Sequence, residues 1–294
     1  MENNWNRPSD YTNQRDAFIG NLFKIAQKDK DVILISIDMG AAALDQWREE
    51  LPDQFIWTGI SEQHSINLAA GLAACGKKVY VYFMAAWSAR CFEQIRYSCA
   101  MADNPITLLA NGVALGYAPA GPAHETNDDI AYMRSLLGIE INCPASVTAT
   151  EKLVQESYKN QKLRYVRLER HYDERFDALD KGSTTGISTV KGGLFNNALK
   201  KNKTKSVIVS YGYMLGRCLD TWIKIMEDSN HEVTLMNMSV LKPNPITAKT
   251  FEPYDKIICV EEQTASGGFG SIVLEGLSDA GVKKDLLRIT LPER

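Results

Sequence analysis

The chain has 294 residues, 45% of them hydrophobic, and a formal charge of −3. That length suits two domains of ordinary size, and the charge balance argues against a nucleic-acid or membrane surface. No apolar run approaches the roughly 20 residues needed to cross a bilayer, and Met1-Glu2-Asn3-Asn4-Trp5 lacks the basic and apolar regions of a signal peptide. Cysteines 75, 91, 99, 143, 218 and 259 have no paired spacing. They read as buried thiols in a reducing compartment, so the expected location is cytoplasmic.

In chain order, Gln14 to Gln27 reads as an amphipathic helix with Ala17, Phe18, Leu22, Ile25 and Ala26 as its apolar stripe. The β-branched run Asp31 to Asp38 predicts a parallel strand covered on both faces. A glycine turn then leads through Ser61-Glu62-Gln63 into a helix with Ile66, Ala69, Ala70 and Ala73 at helical spacing. The pattern continues with a strand at 79–83, a helix at 91–101, a strand at 106–110 and a helix at 128–136. A short strand near Ile139, a helix at 148–159 and a strand at 163–168 follow. Strands alternating with helices over this length predict a parallel α/β sheet. Residues 173–193, rich in charge, Gly, Ser and Thr, read as a linker. Beyond it, strands at 206–210, 233–238, 256–261 and 287–291, with helices at 215–226 and 271–277, predict a second, smaller α/β domain. The expected division is residues 1–180 and 181–294.

Several segments carry chemistry-bearing residues. Glu62 falls in the first turn of its helix, where an acid complements the helix dipole; the alternative is a shielded carboxyl placed to exchange a proton with a ring nitrogen. Trp87 lies just past a strand's carboxyl end, where ligands gather in parallel sheets, so its ring is either a stacking platform or interface packing. His124 ends a Gly/Pro-rich loop at 112–125 and reads either as a solvated loop histidine or as a hydrogen-bond donor and proton relay. Arg167 and Arg170 are placed after a strand, and Arg15 at the opening of the first helix, positions that suit a phosphate or carboxylate. Gly267-Gly268-Phe269-Gly270 lacks the spacing of a dinucleotide fingerprint or a P-loop and reads as a tight strand-to-helix connection.

Taken together, five stretches in one order resemble the pyrimidine-binding and C-terminal domains of the transketolase family, from about Tyr11 to the end. They are Gly59-Ile60-Ser61-Glu62-Gln63; Ala85-Ala86-Trp87 with Phe92-Glu93-Gln94-Ile95-Arg96; Gly121-Pro122-Ala123-His124 with residues 129–135; Tyr165-Val166-Arg167-Leu168-Glu169-Arg170; and Val260-Glu261-Glu262 through Gly270. The related synthase of deoxyxylulose phosphate and the β subunits of 2-oxo acid dehydrogenases share the domain pair. The His124 loop with residues 129–135 favours transketolase.

The resemblance implies thiamine diphosphate, whose ylide attacks a ketose carbonyl, and transfer of a two-carbon ketol unit from a ketose or ketose phosphate to an aldose-type acceptor. By the same resemblance, Glu62 hydrogen-bonds the aminopyrimidine, Trp87 stacks on it and Arg90 lies in the cofactor-binding set. The Glu62 role needs a carboxyl that keeps a proton, which a dry interface favours. His124 contacts substrate hydroxyls, and Arg15 and Arg170 bind the sugar phosphate. Glu62 and His124 are thus the expected catalytic residues, with no metal ligand in this chain. The family's Gly-Asp-Gly and asparagine motif, which holds Mg2+ and the diphosphate, is missing. This implies a second, N-terminal transketolase-like subunit carrying that domain, an α2β2 heterotetramer, and a chain that does not bind the cofactor productively alone.

Three polar contacts of the family fall here on Ala120, Ala110 and Ala41-Ala42-Ala43, which predicts either a donor other than xylulose phosphate or a larger acceptor. The chain also ends at Arg294, short of the family's usual C-terminal helix. Two other readings stay open: the β subunit of a 2-oxo acid decarboxylating enzyme, and a non-catalytic regulatory subunit on the same fold.

Overall fold

The computed structural model describes residues 13–169, 186–189, 205–228 and 232–292. In the first half, α1 (Gln14–Ala26) leads to β1 (Val32–Ser36), α2 (Ala43–Glu50), β2 (Phe55–Trp57), α3 (Glu62–Ala74) and β3 (Lys78–Met84). A 3₁₀ turn over Ala85–Cys91, the short α4 (Phe92–Gln94) and a π-helical stretch over Ile95–Met101 then form one helical run. Next come β4 (Ile106–Asn111), α5 (Asp129–Met133), β5 (Glu140–Asn142), α6 (Val147–Lys159) and β6 (Arg164–Leu168). The second half contains β7 (Ile187–Thr189), β8 (Lys205–Ser210), α7 (Gly212–Asp228), β9 (Glu232–Met238) and β10 (Val240–Lys242). It closes with β11 (Lys256–Thr264), α8 (Phe269–Asp279) and β12 (Asp285–Leu291).

Two α/β sheets result. The first has seven strands in the order β10-β5-β6-β4-β3-β1-β2, and the second has five in the order β12-β11-β8-β9-β7. All five residues of β1 are buried, as its β-branched run requires of a strand covered on both faces. One apolar cluster contains Ile35, Ile66, Val81 and Leu108 and continues into the second domain through Val209 and Ile257; a second joins Phe18, Leu22, Leu34 and Trp47, and a third packs Leu215, Leu219 and Trp222 against Ile208 and Leu235.

The sequence reading needs correction in four places. Each sheet is parallel except at one edge, where β10 runs antiparallel to β5 and β7 antiparallel to β9. Strand β10 belongs to the second half of the chain yet completes the first sheet, because Val240 and Lys242 pair with Asn142 and Ile141. Strand β7 falls inside the stretch read as a linker, whose residues 173–185 and 190–193 lie outside the described residues. Helix α2 and strand β2 are additions to the expected elements: α2 is a charge-rich helix with only Ala43, Leu44 and Trp47 buried, and β2 is three residues long.

One polar group inside the first sheet has a pH signature. Arg164, with a fully buried side chain, donates to Glu140 Oε1 at 2.8 Å, and Lys162 donates to Glu140 Oε2 at 2.6 Å. Burial works to raise the Glu140 carboxyl, but the hydrogen bonds from Lys162 and Arg164 outweigh it and hold the group below the usual carboxylate range. Its stabilising contribution is therefore complete above the unfolded value of about 4.3 and is lost as pH falls through the folded value. Glu140→Gln is expected to cost about 1–3 kcal/mol near neutral pH and to flatten the acid limb of stability, read from denaturant midpoints across that range.

Candidate active site

Gly59 takes φ +65°, a left-handed conformation open to glycine, and turns the chain from β2 into α3. Ser61 Oγ donates to Thr58 O at 2.7 Å, and Ser65 Oγ donates to Thr58 Oγ1 at 2.8 Å, which fixes the turn to the first coil of the helix. Ile66, Ala69, Ala70 and Ala73 bury the apolar face of α3. This arrangement sinks Glu62, the first residue of the helix, to 4% exposure.

Its neighbours come from the turn after β3. Arg90 Nη1 donates to Glu62 Oε1 at 2.9 Å from a side chain that is 56% exposed. The Arg90 guanidinium carbon lies 5.9 Å from the centre of the Trp87 ring. Trp87 in turn faces His124, with ring centroids 6.2 Å apart at 59°. Glu62, Arg90, Trp87 and His124 therefore form one contiguous line, drawn from three segments well separated in sequence. His124 Nδ1 is buried and has no hydrogen-bond partner among the described residues.

Sequence reasoning does not identify the supports behind this line. Ser88 Oγ, next to Trp87, donates to Ala85 O at 2.6 Å and shares a 2.6 Å hydrogen bond with Tyr132 OH. Tyr165 OH donates to Asp129 Oδ2 at 2.9 Å, and Arg167 donates to both Asp129 oxygens at 2.8 and 3.2 Å. Arg167 thus lies within β6 rather than beyond it, and its guanidinium is held in a buried ion pair with Asp129. From the second domain, Gln263 Nε2 donates to Asp129 Oδ1 at 3.1 Å and to Thr126 O at 3.0 Å. An antiparallel bridge between Ala114 and Thr126 closes the loop that carries His124. The signal for Gln263 is present in the sequence: counting by two along β11 from Ile257 and Cys259 puts Glu261 and Gln263 on the same inward face.

Arg15 enters a second polar group. It donates to Asp16 at 2.9 and 3.0 Å and is largely buried. Burial works to lower its guanidinium, but Asp16, Tyr82 and Tyr117 outweigh it and raise it. Tyr117 OH accepts from Asn111 Nδ2 at 3.1 Å at the carboxyl end of β4. Glu169 N–H donates to Gln14 Oε1 at 2.9 Å, so the exit of β6 meets the first turn of α1. Arg170, the next residue, lies outside the described residues.

The glycine turn before α8 already holds an anion from the chain itself. Glu261 accepts from Phe269 N–H at 2.6 Å and Gly270 N–H at 2.8 Å. A Cβ on Gly268 would lie 2.3 Å from Glu261 Oε2, so only glycine permits that approach. Among the described residues no group of three or more His, Cys, Asp or Glu is placed to hold a metal ion, and no helix is long and apolar enough to cross a membrane. Five of the six cysteines are buried and Cys75 is exposed. Burial pushes the thiols of Cys91, Cys99 and Cys143 up to about 12, well away from a reactive thiolate.

Two family models match the chain: the pyrimidine-binding domain of transketolase over residues 11–172 and the transketolase C-terminal domain over residues 197–294. The apulose-4-phosphate transketolase of Phocaeicola vulgatus has a subunit that is 30% identical over 94% of this chain and 86% of its own length. A 1-deoxy-D-xylulose-5-phosphate synthase from a Synechococcus species is 26% identical over 94% of this chain, which spans only 42% of that enzyme. Among solved structures, a split-gene transketolase described as an inactive beta4 tetramer superposes with a TM-score of 0.80. The two share 22% identity over 96% of this chain and 90% of the other, a likeness that speaks to fold alone. A Pichia stipitis transketolase superposes at a TM-score of 0.70 with 16% identity, over 99% of this chain and 44% of the other.

The Ser88–Tyr132 contact makes a measurable claim about how the Trp87 turn is held. Ser88→Ala and Tyr132→Phe, combined in a double-mutant cycle on unfolding free energy, are expected to couple by about 0.5–1.5 kcal/mol. Additive effects would mean that the two hydroxyls do not support one another.

Proposed function

The chain belongs to the transketolase family, and on that premise we propose that it is the C-terminal subunit of a split transketolase. It transfers a two-carbon ketol unit from a ketose or ketose phosphate to an aldose-type acceptor. The observation that carries the reading is Glu62: a carboxylate 4% exposed at the start of a buried helix, in line with Arg90, Trp87 and His124. Membership of the family brings with it dependence on thiamine diphosphate, which when bound supplies the carbanion chemistry that no side chain offers.

The residues suit the aminopyrimidine half of that cofactor. The half-buried Trp87 ring offers a face for stacking, and Glu62 a carboxyl that exchanges a proton with a ring nitrogen. Arg90 bridges the two. The orphaned, buried Nδ1 of His124 is a polar atom in want of a partner, and a substrate hydroxyl meets that need. Arg15 and Arg170 are assigned to the sugar phosphate.

Mg2+ and the diphosphate are assigned to an N-terminal transketolase-like subunit with a diphosphate-binding domain, and the assembly to an α2β2 heterotetramer in the cytoplasm. The similarity to one subunit of the apulose-4-phosphate transketolase, over most of that subunit's length, supports a division of the enzyme into two chains. Alanine at 41–43, 110 and 120 supports a donor other than xylulose phosphate or a larger sugar as acceptor. The contiguity of Glu62, Arg90, Trp87 and His124 weighs against a purely regulatory role, which has no use for the set.

The test is reconstitution with a diphosphate-domain subunit, thiamine diphosphate and Mg2+. Ketol transfer is expected, and Glu62→Gln should lower kcat by about 10²-fold or more, the scale of a lost proton-transfer group. Undiminished turnover in Glu62→Gln removes the proposal. Decarboxylation of pyruvate without any ketol transfer replaces it with the 2-oxo acid reading.

A further inference from the structure

Arg90 makes two contacts at once. Its guanidinium donates to the Glu62 carboxylate at 2.9 Å and sits over the Trp87 ring at 5.9 Å. A guanidinium is a flat, cationic, donor-bearing group that stacks on aromatic faces and pairs with carboxylates. Those are the two contacts that the proposed function assigns to the aminopyrimidine ring: a flat face against Trp87 and a proton-bearing nitrogen at Glu62. We infer that Arg90 is an internal placeholder, which occupies the pyrimidine's position in the free subunit and leaves it when the ring arrives. This rests on the functional reading above and goes beyond it, because it gives Arg90 a role opposed to binding in one state of the chain.

The physical reason for such a device lies in the burial of Glu62. A carboxylate this enclosed is costly without a compensating donor. In the free chain that donor is Arg90, which reaches in from a position 56% exposed. The same exposure gives the Arg90 head a route back to water once another donor takes over the Glu62 carboxylate. The arrangement therefore satisfies Glu62 before the ring binds and yields when it does. The flexible arginine stem allows the head to swing into solvent without moving the backbone of the 3₁₀ turn, which Ser88 fixes through Ala85 O and Tyr132 OH.

The test uses the full chain and, as probe, 4-amino-5-hydroxymethyl-2-methylpyrimidine, followed by ligand-observed NMR titration. Arg90→Met, which removes the charge and the donor but keeps the stem, is expected to bind the probe about two- to fivefold tighter than the wild type, the range set by a half-exposed ion pair. Arg90→Lys, which keeps the charge and loses the flat guanidinium, should fall between the two. Adding Glu62→Gln to Arg90→Met should abolish the gain. Equal or weaker binding by Arg90→Met, or no binding, overturns the placeholder, as does a gain that survives Glu62→Gln. Failure here and failure of the functional reading are separable: ketol transfer that depends on Glu62, with no gain in Arg90→Met, removes only the placeholder. A Glu62-dependent gain in a chain that never supports transfer leaves the contact standing and removes the enzyme assignment.

Discussion

Asp129 is wholly buried, and its carboxylate accepts two hydrogen bonds from Arg167, one from Tyr165 and one from Gln263. A charge in the interior is tolerated only when it is paired and its remaining lone pairs are filled, and here donors from two strands do so. Burial works to lower the Arg167 guanidinium, and Asp129 more than offsets this, so the guanidinium is raised well above its ordinary value. The donors come from both domains. Tyr165 and Arg167 belong to β6 of the first sheet, Gln263 to β11 of the second, and the Tyr211 ring lies 5.4 Å from the Arg167 guanidinium carbon. The two sheets are thereby held in one relation. The same junction reaches the site by two routes: Gln263 holds Thr126, which closes the His124 loop, and α5 carries Tyr132 to Ser88 beside Trp87.

Two acids near helix N-termini show how the molecule separates structure from chemistry. Glu261 lies in a strand, and its carboxylate is consumed by the first backbone N–H groups of α8 across a glycine turn. Burial pushes that carboxyl up even though Gly270 and Phe269 pull it down, and Arg288 is too far away to form a tight pair. The group is sealed into the fold. Glu62 begins a helix of its own, and it pairs with a side chain reaching in from solvent. A backbone donor cannot leave without unwinding a helix, whereas a side-chain donor can. By this criterion the first acid is architecture and the second is available for exchange.

Most of the fold was legible because period and composition agree wherever an element is long. The β-branched run at 32–36, the small-residue helix opening at Glu62 and the alternating inward face of β11 all lie where the pattern puts them. The failures are short or context-dependent. Strands β2, β7 and β10 have three residues each, too few for a period to show, and they exist because a neighbouring strand offers an edge. Helix α2 has its stripe in only Ala43, Leu44 and Trp47, too short a run over eight residues to stand out from its charged neighbours. In the candidate site, residue types left Glu62, Trp87 and His124 each open between a structural and a chemical role, and the resemblance supplied the grouping that no spacing along the chain could give. Arg167 misled because a charged residue near a strand end looks like a ligand group until its buried partner, 38 residues away, is known. Asp129, Tyr132 and Gln263 support the site through contacts that only the folded chain creates.

The alanines that depart from the family pattern are not equivalent physically. Ala110 lies in β4, wholly buried in the apolar cluster with Val81 and Leu108. A histidine there would have to overpack the core and bury a ring with two polar nitrogens, each a cost of about 1–3 kcal/mol. That position is fixed by packing, and its alanine says as much about the core as about any ligand. Ala120 lies exposed at the end of a 3₁₀ turn, just before Gly121 with φ +90°. A polar side chain at Ala120 meets no such obstacle, so its absence there is not imposed by the fold. If, as proposed, the His124 loop lines the sugar site, it is a part that can change without rebuilding the sheet behind it.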